Sequence, residues 1–388
     1  MSNTIASELQ LTTVLDSALV AFRRAILPLQ QFATSYSNVP LRGDNTMAIP
    51  YYPLATSDSV TRASGGSYKA LATSTTTQAK KVVINKNKVQ AISFTSEERS
   101  RQPMFNPEMH GRLKGEKLAF DIIADIFSPV RHSVFTGATI SATTAGNFDE
   151  NDVADLAQKC MEDYWPEVGR SLILNPAFHF NLLKQGQIID ASKSADPLAF
   201  REATIRRILG FEELGTAGLP TNNGTAFAVL GEADDDTFTA AAHGLLDGDR
   251  VIFPTLTGGT GLTAATTAYF VRDAATNTFK VSATIGGAAV NFTSDVTAGT
   301  CRRYENIVGV AAVPSALLVG FAPVEPTPAV RSQLFDYRVV EDRYSGIVLE
   351  YKHIGYGDTD EEVQVIEAHY GDALGETAAM KLITTPLS

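Results

Sequence analysis

Residues 82–129 read VVINKNKVQAISFTSEERSRQPMFNPEMHGRLKGEKLAFDIIADIFSP. The stretch opens with an alternating strand, crosses a polar turn at Ser96-Glu97-Glu98 and ends in the longest helical pattern of the chain. The helix start is well marked. Asn106 is a capping residue, Pro107 fits the first helical position, and Glu108 suits the positive end of the helix dipole. Met109, Leu113, Phe120, Ile123 and Phe127 fall on one face, widened by Ile122 and Ile126. Arg112, Lys114, Lys117, Asp121 and Asp125 are left for a wet face, and Ser128-Pro129 stops the pattern. At ~1.5 Å per residue, a helix over 107–128 is a rod of roughly 33 Å. Such a helix suits any globular protein. The order around it, loop then strand then acidic turn then helix, narrows the reading.

The chain has 388 residues, enough for two or three domains with cores of their own. No apolar run is long enough to span a bilayer, and the N-terminus lacks the basic-then-apolar pattern of a secretory signal. Cys160 and Cys301 are isolated, so no disulfide framework is expected and a reducing cytosolic compartment is. A net charge of −11 argues against tight sequence-independent DNA binding by the whole surface, which needs many Lys and Arg on phosphates.

No arrangement of residues specifies catalysis. His110, His132, His179, His243, His353 and His369 fall in no zinc-binding spacing. No nucleophile elbow, Walker loop or dinucleotide fingerprint is present. Glu97-Glu98 and Glu361-Glu362 sit in polar turns and read as solvated. Asp234-Asp235-Asp236 and Asp247-Gly248-Asp249 lack the spacing and distant glutamate of a calcium loop. Gly258-Gly259-Thr260-Gly261 has no following Lys-Ser/Thr and reads as a turn. Cys160 reads as a small core residue and Trp165 as a packing anchor. The expectation is no enzyme, no cofactor, and no catalytic, cofactor-binding or metal site.

Taken in order, residues 1–47 read as an arm. Leu11, Val14, Leu15, Ala18, Leu19 and Phe22 make a short amphipathic helix that Pro28 ends; Ser35, Ser37, Asn38, Pro40, Gly43 and Asn45 read as extended chain. Such an arm needs the body of its own subunit or of a neighbour, and a fluctuating tail is the alternative. Residues 48–84 read as a two-stranded ribbon, Met47–Leu54 out and Thr73–Ile84 back, with Gly65-Gly66 near the tip. A ribbon alone is marginal in water, which hints at a lattice; a flexible surface hairpin is the alternative. Lys80, Lys81, Lys86 and Lys88 read as solvated strand ends or, alternatively, as an intersubunit salt-bridge rim.

Beyond the helix, Asp149 caps a helix with Val153, Leu156, Ala157, Cys160, Met161 and Tyr164 on one face. Ser171–Leu174 is a short buried strand. Asn175-Pro176 starts the next helix and Asp196-Pro197 another, closed by Gly210. Residues 225–304 turn rich in Thr, Ala and Gly, with short strands at Phe227–Leu230, Arg250–Pro254, Ala268–Arg272, Thr278–Val281 and Cys301–Tyr304. This is the pattern of a small all-β module. Ile307–Phe321 reads as an apolar strand pair. Pro323, Pro326 and Pro328 form a stiff crossing, and Phe335–Val340 and Gly346–Tyr356 are strands.

This order resembles the major capsid proteins of tailed bacteriophages, the Hong Kong 97-type fold. Lys88–Phe94, Ser96-Glu97-Glu98 and Pro107–Ser128 match the family's strand, turn and spine helix. "SLILNP" at 171–176 and Leu209-Gly210-Phe211 leading to Leu219-Pro220 resemble its axial domain. Ile347-Val348-Leu349-Glu350-Tyr351 and the run from Tyr356-Gly357 to Gly371-Asp372 resemble the closing hairpin of its peripheral domain. The resemblance covers roughly residues 48–225 and 305–375.

It implies an α+β fold: an N-terminal arm (1–47), an E-loop (48–84), a peripheral domain (85–130 and 330–388, spine helix 107–128), an axial domain (131–224 and 305–329) and a β insertion domain (225–304) standing outward. The implied function is a major capsid protein self-assembling as hexamers and pentamers into an icosahedral shell that encloses double-stranded DNA. Implied partners are copies of itself, portal and scaffolding proteins, a decoration protein and non-specifically packaged DNA, with no membrane. The implied location is the virion capsid, assembled in the host cytoplasm. The early start of the arm leads to the expectation that no scaffolding segment is cleaved from the chain. An encapsulin-type nanocompartment shell protein and a β-rich adhesin or receptor-binding protein remain as alternatives.

Overall fold

The computed structural model describes residues 5–36, 45–51, 78–95, 97–98, 107–136, 140–141, 144–166, 168–185, 207–216, 218–341 and 346–385. The expected ribbon tip at Gly65-Gly66, the cap Asn106, Ser96 and the helix from Asp196-Pro197 lie outside these residues. The chain begins with α1 (Ile5–Phe32), β1 (Ala33–Tyr36), β2 (Thr46–Tyr51), β3 (Gln78–Val83), β4 (Lys86–Thr95) and α2 (Pro107–Phe127). Next come β5 (Ile140–Ser141), α3 (Glu150–Glu162), β6 (Ser171–Leu174), α4 (Pro176–Leu183) and β7 (Glu212–Gly215). Six strands follow: β8 (Phe227–Glu232), β9 (Thr237–Thr239), β10 (Arg250–Gly258), β11 (Ala268–Arg272), β12 (Thr278–Ser282) and β13 (Val296–Arg303). The chain returns through β14 (Ile307–Ala312), β15 (Leu317–Phe321), α5 (Pro328–Arg331), β16 (Leu334–Glu341), β17 (Val348–Tyr356), β18 (Glu361–Leu374) and β19 (Met380–Thr384).

The chain divides into two compact units. The first comprises Met1–Ile126 and Val313–Ala379; the second comprises Phe127–Ala312 and Met380–Ser388. The division differs from the expected one at the C-terminal side. β15 was expected with the axial piece 305–329, yet it lies in the sheet of the first unit; β19 was expected with the peripheral piece 330–388, yet it lies in the sheet of the second. The expected strand pair at Ile307–Phe321 is likewise corrected. β14 pairs with β6 and β19, whereas β15 pairs with β1 and β18. Both runs are wholly buried. A continuous apolar run marks a strand flanked on both sides without naming its partners.

In the first unit the sheet runs β1-β15-β18-β17-β16, with β4 also on β18. β4 aligns with β18 from Lys86↔Tyr370 to Thr95↔Glu361. The ribbon base packs on this sheet: Met47, Ile49 and Val82 are buried against Leu318 and Ala322. Gly371 permits the approach, since a Cβ there would lie 1.9 Å from the Val83 carbonyl oxygen.

Helix α2 starts at Pro107 and stops at Phe127, as the spacing predicts, but its buried face differs. Met109 and Leu113 are 60% and 55% exposed, and the buried stripe is Gly111, Gly115, Leu118, Ala119, Ile122, Ile123, Ile126 and Phe127. The two glycines make a groove for α1. A Cβ on Gly115 would meet the Ala18 carbonyl oxygen at 2.2 Å, and one on Gly111 the Val14 carbonyl oxygen at 2.5 Å. Hydropathy counting misses this face because glycine packs by being absent.

Pro28 does not end α1; it is buried inside the helix. An internal proline costs a helix about 3 kcal/mol. The stripe Phe22, Ile26, Leu29 and Phe32, each with no exposed surface, continues across it. Burial of a large apolar side chain contributes about 1.5–3 kcal/mol, so several together outweigh the break.

In the second unit the sheet runs β5-β19-β14-β6-β7, with β6 and β7 parallel and β14 antiparallel to both its neighbours. Asp149 caps α3 with a capping box to Asp152, and Asn175 caps α4 through the Phe178 N–H at 3.1 Å. Val153, Leu156 and Cys160 form the buried face of α3. Met161 and Tyr164 were expected on it and are exposed: the helix stops at Glu162, and Tyr164 turns away with φ +56°.

Between β7 and β14 the chain forms a closed barrel, β10-β11-β12-β9-β8-β13. This is the expected all-β module, with one strand more. β9 escaped the sequence reading because it has three residues, and the N-terminal half of β13 did because its Thr, Ala and Gly show no apolar alternation. The barrel core is aromatic: Phe238 lies 4.8, 5.3 and 5.2 Å from Phe253, Phe279 and Phe292. Cys301 is fully buried there, and burial pushes its thiol far up.

Candidate functional site

The foot of the barrel holds the most connected polar cluster of the second unit. The chain leaving α2 passes Arg131, His132 and Ser133. Glu305, fully buried, accepts the His132 backbone N–H at 2.8 Å and lies 2.5 Å from His132 Nδ1. Asp249, also fully buried, accepts the Ser133 hydroxyl at 2.5 Å and the Leu246 N–H at 3.0 Å, with Arg131 at 3.6 Å. Burial pushes the Asp249 carboxyl up, against the pull of these donors. Asn222 donates to the carbonyls of Phe127 and Val130 at 2.9 and 2.7 Å. Glu305 and Asp249 are fully buried, so each needs its partners.

A second cluster lies in the first unit. Donor atoms of Glu350, Glu367 and His369 fall within 4.8 Å of one another, the one such group among the described residues. The Lys352 ammonium sits among them, bonded to Glu367 and 3.7 Å from Glu350. Glu350 also accepts the Val324 N–H at 2.6 Å and the Tyr337 hydroxyl at 3.2 Å. Burial alone would raise Glu367, but hydrogen bonds from His369 and Lys352 outweigh it and pull the carboxyl down to about 2. Tyr337, half-buried beside Glu350, is pushed up to about 12. The Lys352 ammonium thus offsets part of the negative charge of the two carboxylates.

Lys80, Lys86 and Lys88 are paired within the subunit rather than left as solvated strand ends. Lys80 donates to the carbonyls of Leu374 and Gly375 at 2.6 and 3.0 Å. Lys86 bridges Asp372 at 2.6 Å and Asp125 at 3.0 Å, and Lys88 reaches Asp125 at 3.5 Å. Tyr370 donates to Asp125 at 3.0 Å, so this knot ties β4 and β18 to α2. Only Lys81 is exposed.

The remaining sequence candidates are structural in their contacts. Glu98 and Thr95 form a reciprocal cap, the Thr95 N–H on Glu98 at 3.0 Å and the Glu98 N–H on Thr95 at 3.2 Å. Asp236 accepts the Phe292 N–H and Asp247 the Ala274 N–H. Gly258 and Gly259 take positive φ in a turn. His179 bonds Glu213 at 2.7 Å, and burial raises that carboxyl. Cys160 is buried, its thiol pushed up to about 11. Trp165 is buried, with Lys381 over its ring at 5.6 Å. The sequence reading missed Glu305, Asp249, Glu350 and Lys352 as cluster members. Their partners lie far away in the chain: Glu305 meets His132, Asp249 meets Ser133, and Glu350 and Lys352 on β17 meet Tyr337 and Glu367 on the neighbouring strands.

The outer strand of the first unit's sheet is the most exposed. β16 pairs with β17, and no other described strand pairs with it. Phe335 on it is 75% exposed, its ring lying over Gly355, where a Cβ would be 2.1 Å away. Val330 and Val339 are exposed nearby in sequence. No described helix is long and apolar enough to cross a membrane.

No protein-family model matches the sequence, and no curated protein matches it. Among solved structures, the chain is similar to one described as Mycobacterium phage Che8, at 14% identity and TM-score 0.43, covering 89% of this chain and 88% of that one. It is similar to the capsid structure of the cyanophage P-SCSP1u at 11% identity and TM-score 0.46, covering 92% and 87%. It is also similar to a virus-like particle from Pyrococcus furiosus at 11% identity and TM-score 0.41, covering 95% and 97%.

Proposed function

We propose that the chain is the major capsid protein of a tailed bacteriophage. Copies associate as hexamers and pentamers into an icosahedral shell that encloses double-stranded DNA. The observation that carries this reading is the order ribbon base, ten-residue β4, Thr95–Glu98 capped turn and 21-residue α2, packed in one unit with the long strand β18. This is the order that the sequence resemblance implies. In this reading the first unit acts as the peripheral domain, the sheet of the second as the axial domain, and the barrel as an outward insertion. The exposed edge strand β16 lies against neighbouring copies. Many weak contacts of this kind add through multivalency.

The reading is one of assembly, with no chemical step assigned to any residue. DNA is held by enclosure rather than by tight binding, in keeping with a net charge of −11. Portal, scaffolding and decoration proteins are further partners in this reading, and the virion is its location. The test is negative-stain microscopy of the expressed full chain. Closed shells, or rings of five and six subunits, are the expected result. A monodisperse monomer at high concentration overturns it.

A further inference from the structure

The composition change at residue 225 marks off a small all-β module, and the contacts at its foot tie it to the rest of its unit. The two stalks are zipped together: the Gly224 N–H donates to the Arg303 carbonyl at 2.9 Å, the Asn306 N–H to Asn223 Oδ1 at 2.9 Å, and Arg303 Nε to the Asn222 carbonyl at 3.2 Å. From this zipped base, Asn222 donates to the carbonyls of Phe127, the last residue of α2, and of Val130 just beyond it; the Phe127 carbonyl also accepts the Val130 N–H. Glu305 accepts the His132 backbone N–H and lies against its Nδ1. From the barrel itself, Asp249 takes Ser133. Gly248, with φ +91°, lets the barrel turn touch the backbone here; a Cβ on it would lie 3.1 Å from Ser133 Cα.

We propose that the barrel is a clamp as well as a module: its foot serves as the C-terminal cap of the chain leaving α2, and residues 127–133 keep their conformation only while that foot is in place. The coupling runs both ways. The same bonds fix the barrel on its unit, so a force or a partner acting on the barrel is felt first at residues 127–133. Two fully buried carboxylates make the lock all-or-none, because breaking one partnership leaves a buried charge uncompensated. The proposal holds whether or not the chain assembles.

The test is hydrogen exchange of the full chain, read on peptides covering 128–135. Amides of Val130, Val134 and Phe135 there are bonded to Phe127 and Arg131 carbonyls. Asn222→Ala removes the cap and is expected to speed exchange in this segment about fivefold or more, as loss of a capping side chain does. Glu305→Ala is expected to do more. Exchange in β18 should not change in either variant, and Leu230→Ser on the barrel exterior should leave 128–135 as it was. Unchanged exchange at 128–135 in Asn222→Ala overturns the proposal. So does faster exchange spread evenly over both units, or an equal response to Leu230→Ser. If Glu305→Ala fails to fold, Asn222→Ala decides the matter alone.

Discussion

The barrel and the six-stranded sheet bury their apolar residues by opposite means. The barrel closes on itself: every strand has two neighbours, and a group of aromatic rings around Phe238 fills the centre. The sheet of the first unit stays open. It ends in β16, where Phe335 lies in solvent, and it relies on α1, α2 and the ribbon base for cover. Closure removes the unpaired edge that makes a strand adhesive, whereas an open edge keeps it. The contrast places a closed edge in the barrel and an open edge in the first unit's sheet.

The comparison can be broken most severely at the barrel centre. Phe238→Ala should destabilise the barrel by about 3–5 kcal/mol, seen as an earlier unfolding transition in urea. An unchanged midpoint would mean that the rings are not the core. In the open unit, Gly115→Val should cost about 1–3 kcal/mol, because the new Cβ meets the backbone of α1. Retention of full stability would show that α1 is not seated on α2.

Acid distinguishes the two regions further. Glu367 is held at about 2 against an ordinary value of 4.5, so its folded form is depressed. Its stabilisation is present above the ordinary value and is lost as pH falls toward 2. Asp249 is shifted the other way by burial and gains nothing from a rise in pH. Between pH 4.5 and 2, unfolding monitored by circular dichroism should therefore weaken the β16–β18 region first; simultaneous loss of the barrel would contradict the assignment. The smallest effect on stability is expected for Phe335→Ser, within about 0.5 kcal/mol. If β16 is an assembly edge, particle yield should fall while the subunit's melting stays put; a normal yield would remove β16 from the interface.

Much of the frame was legible in residue order. Pro107 and Phe127 bound α2 as the caps and Pro129 indicate, and Asp149 and Asn175 cap where a capping rule puts them. The barrel strands announced themselves between Gly turns. What stayed hidden was of three kinds. Gly111 and Gly115 form a face by lacking side chains, which no hydropathy scale records. Pro28 sits in a helix because tertiary burial outweighs a local rule. The partners of β14 and β15 depend on long-range pairing, and so do those of Glu305 and Glu350, whose bonds to His132 and Val324 join residues far apart in the chain.

One feature of the sheet in the second unit carries a consequence for synthesis. β19, whose five residues are all buried, lies between β5 and β14 and so occupies the interior of a sheet begun more than two hundred residues earlier. That slot must stand empty on the ribosome until residue 384 has emerged. Pairings at such sequence separation form late and slowly. This sheet is therefore the last part of the second unit to be completed, sealed from behind by the end of the described chain.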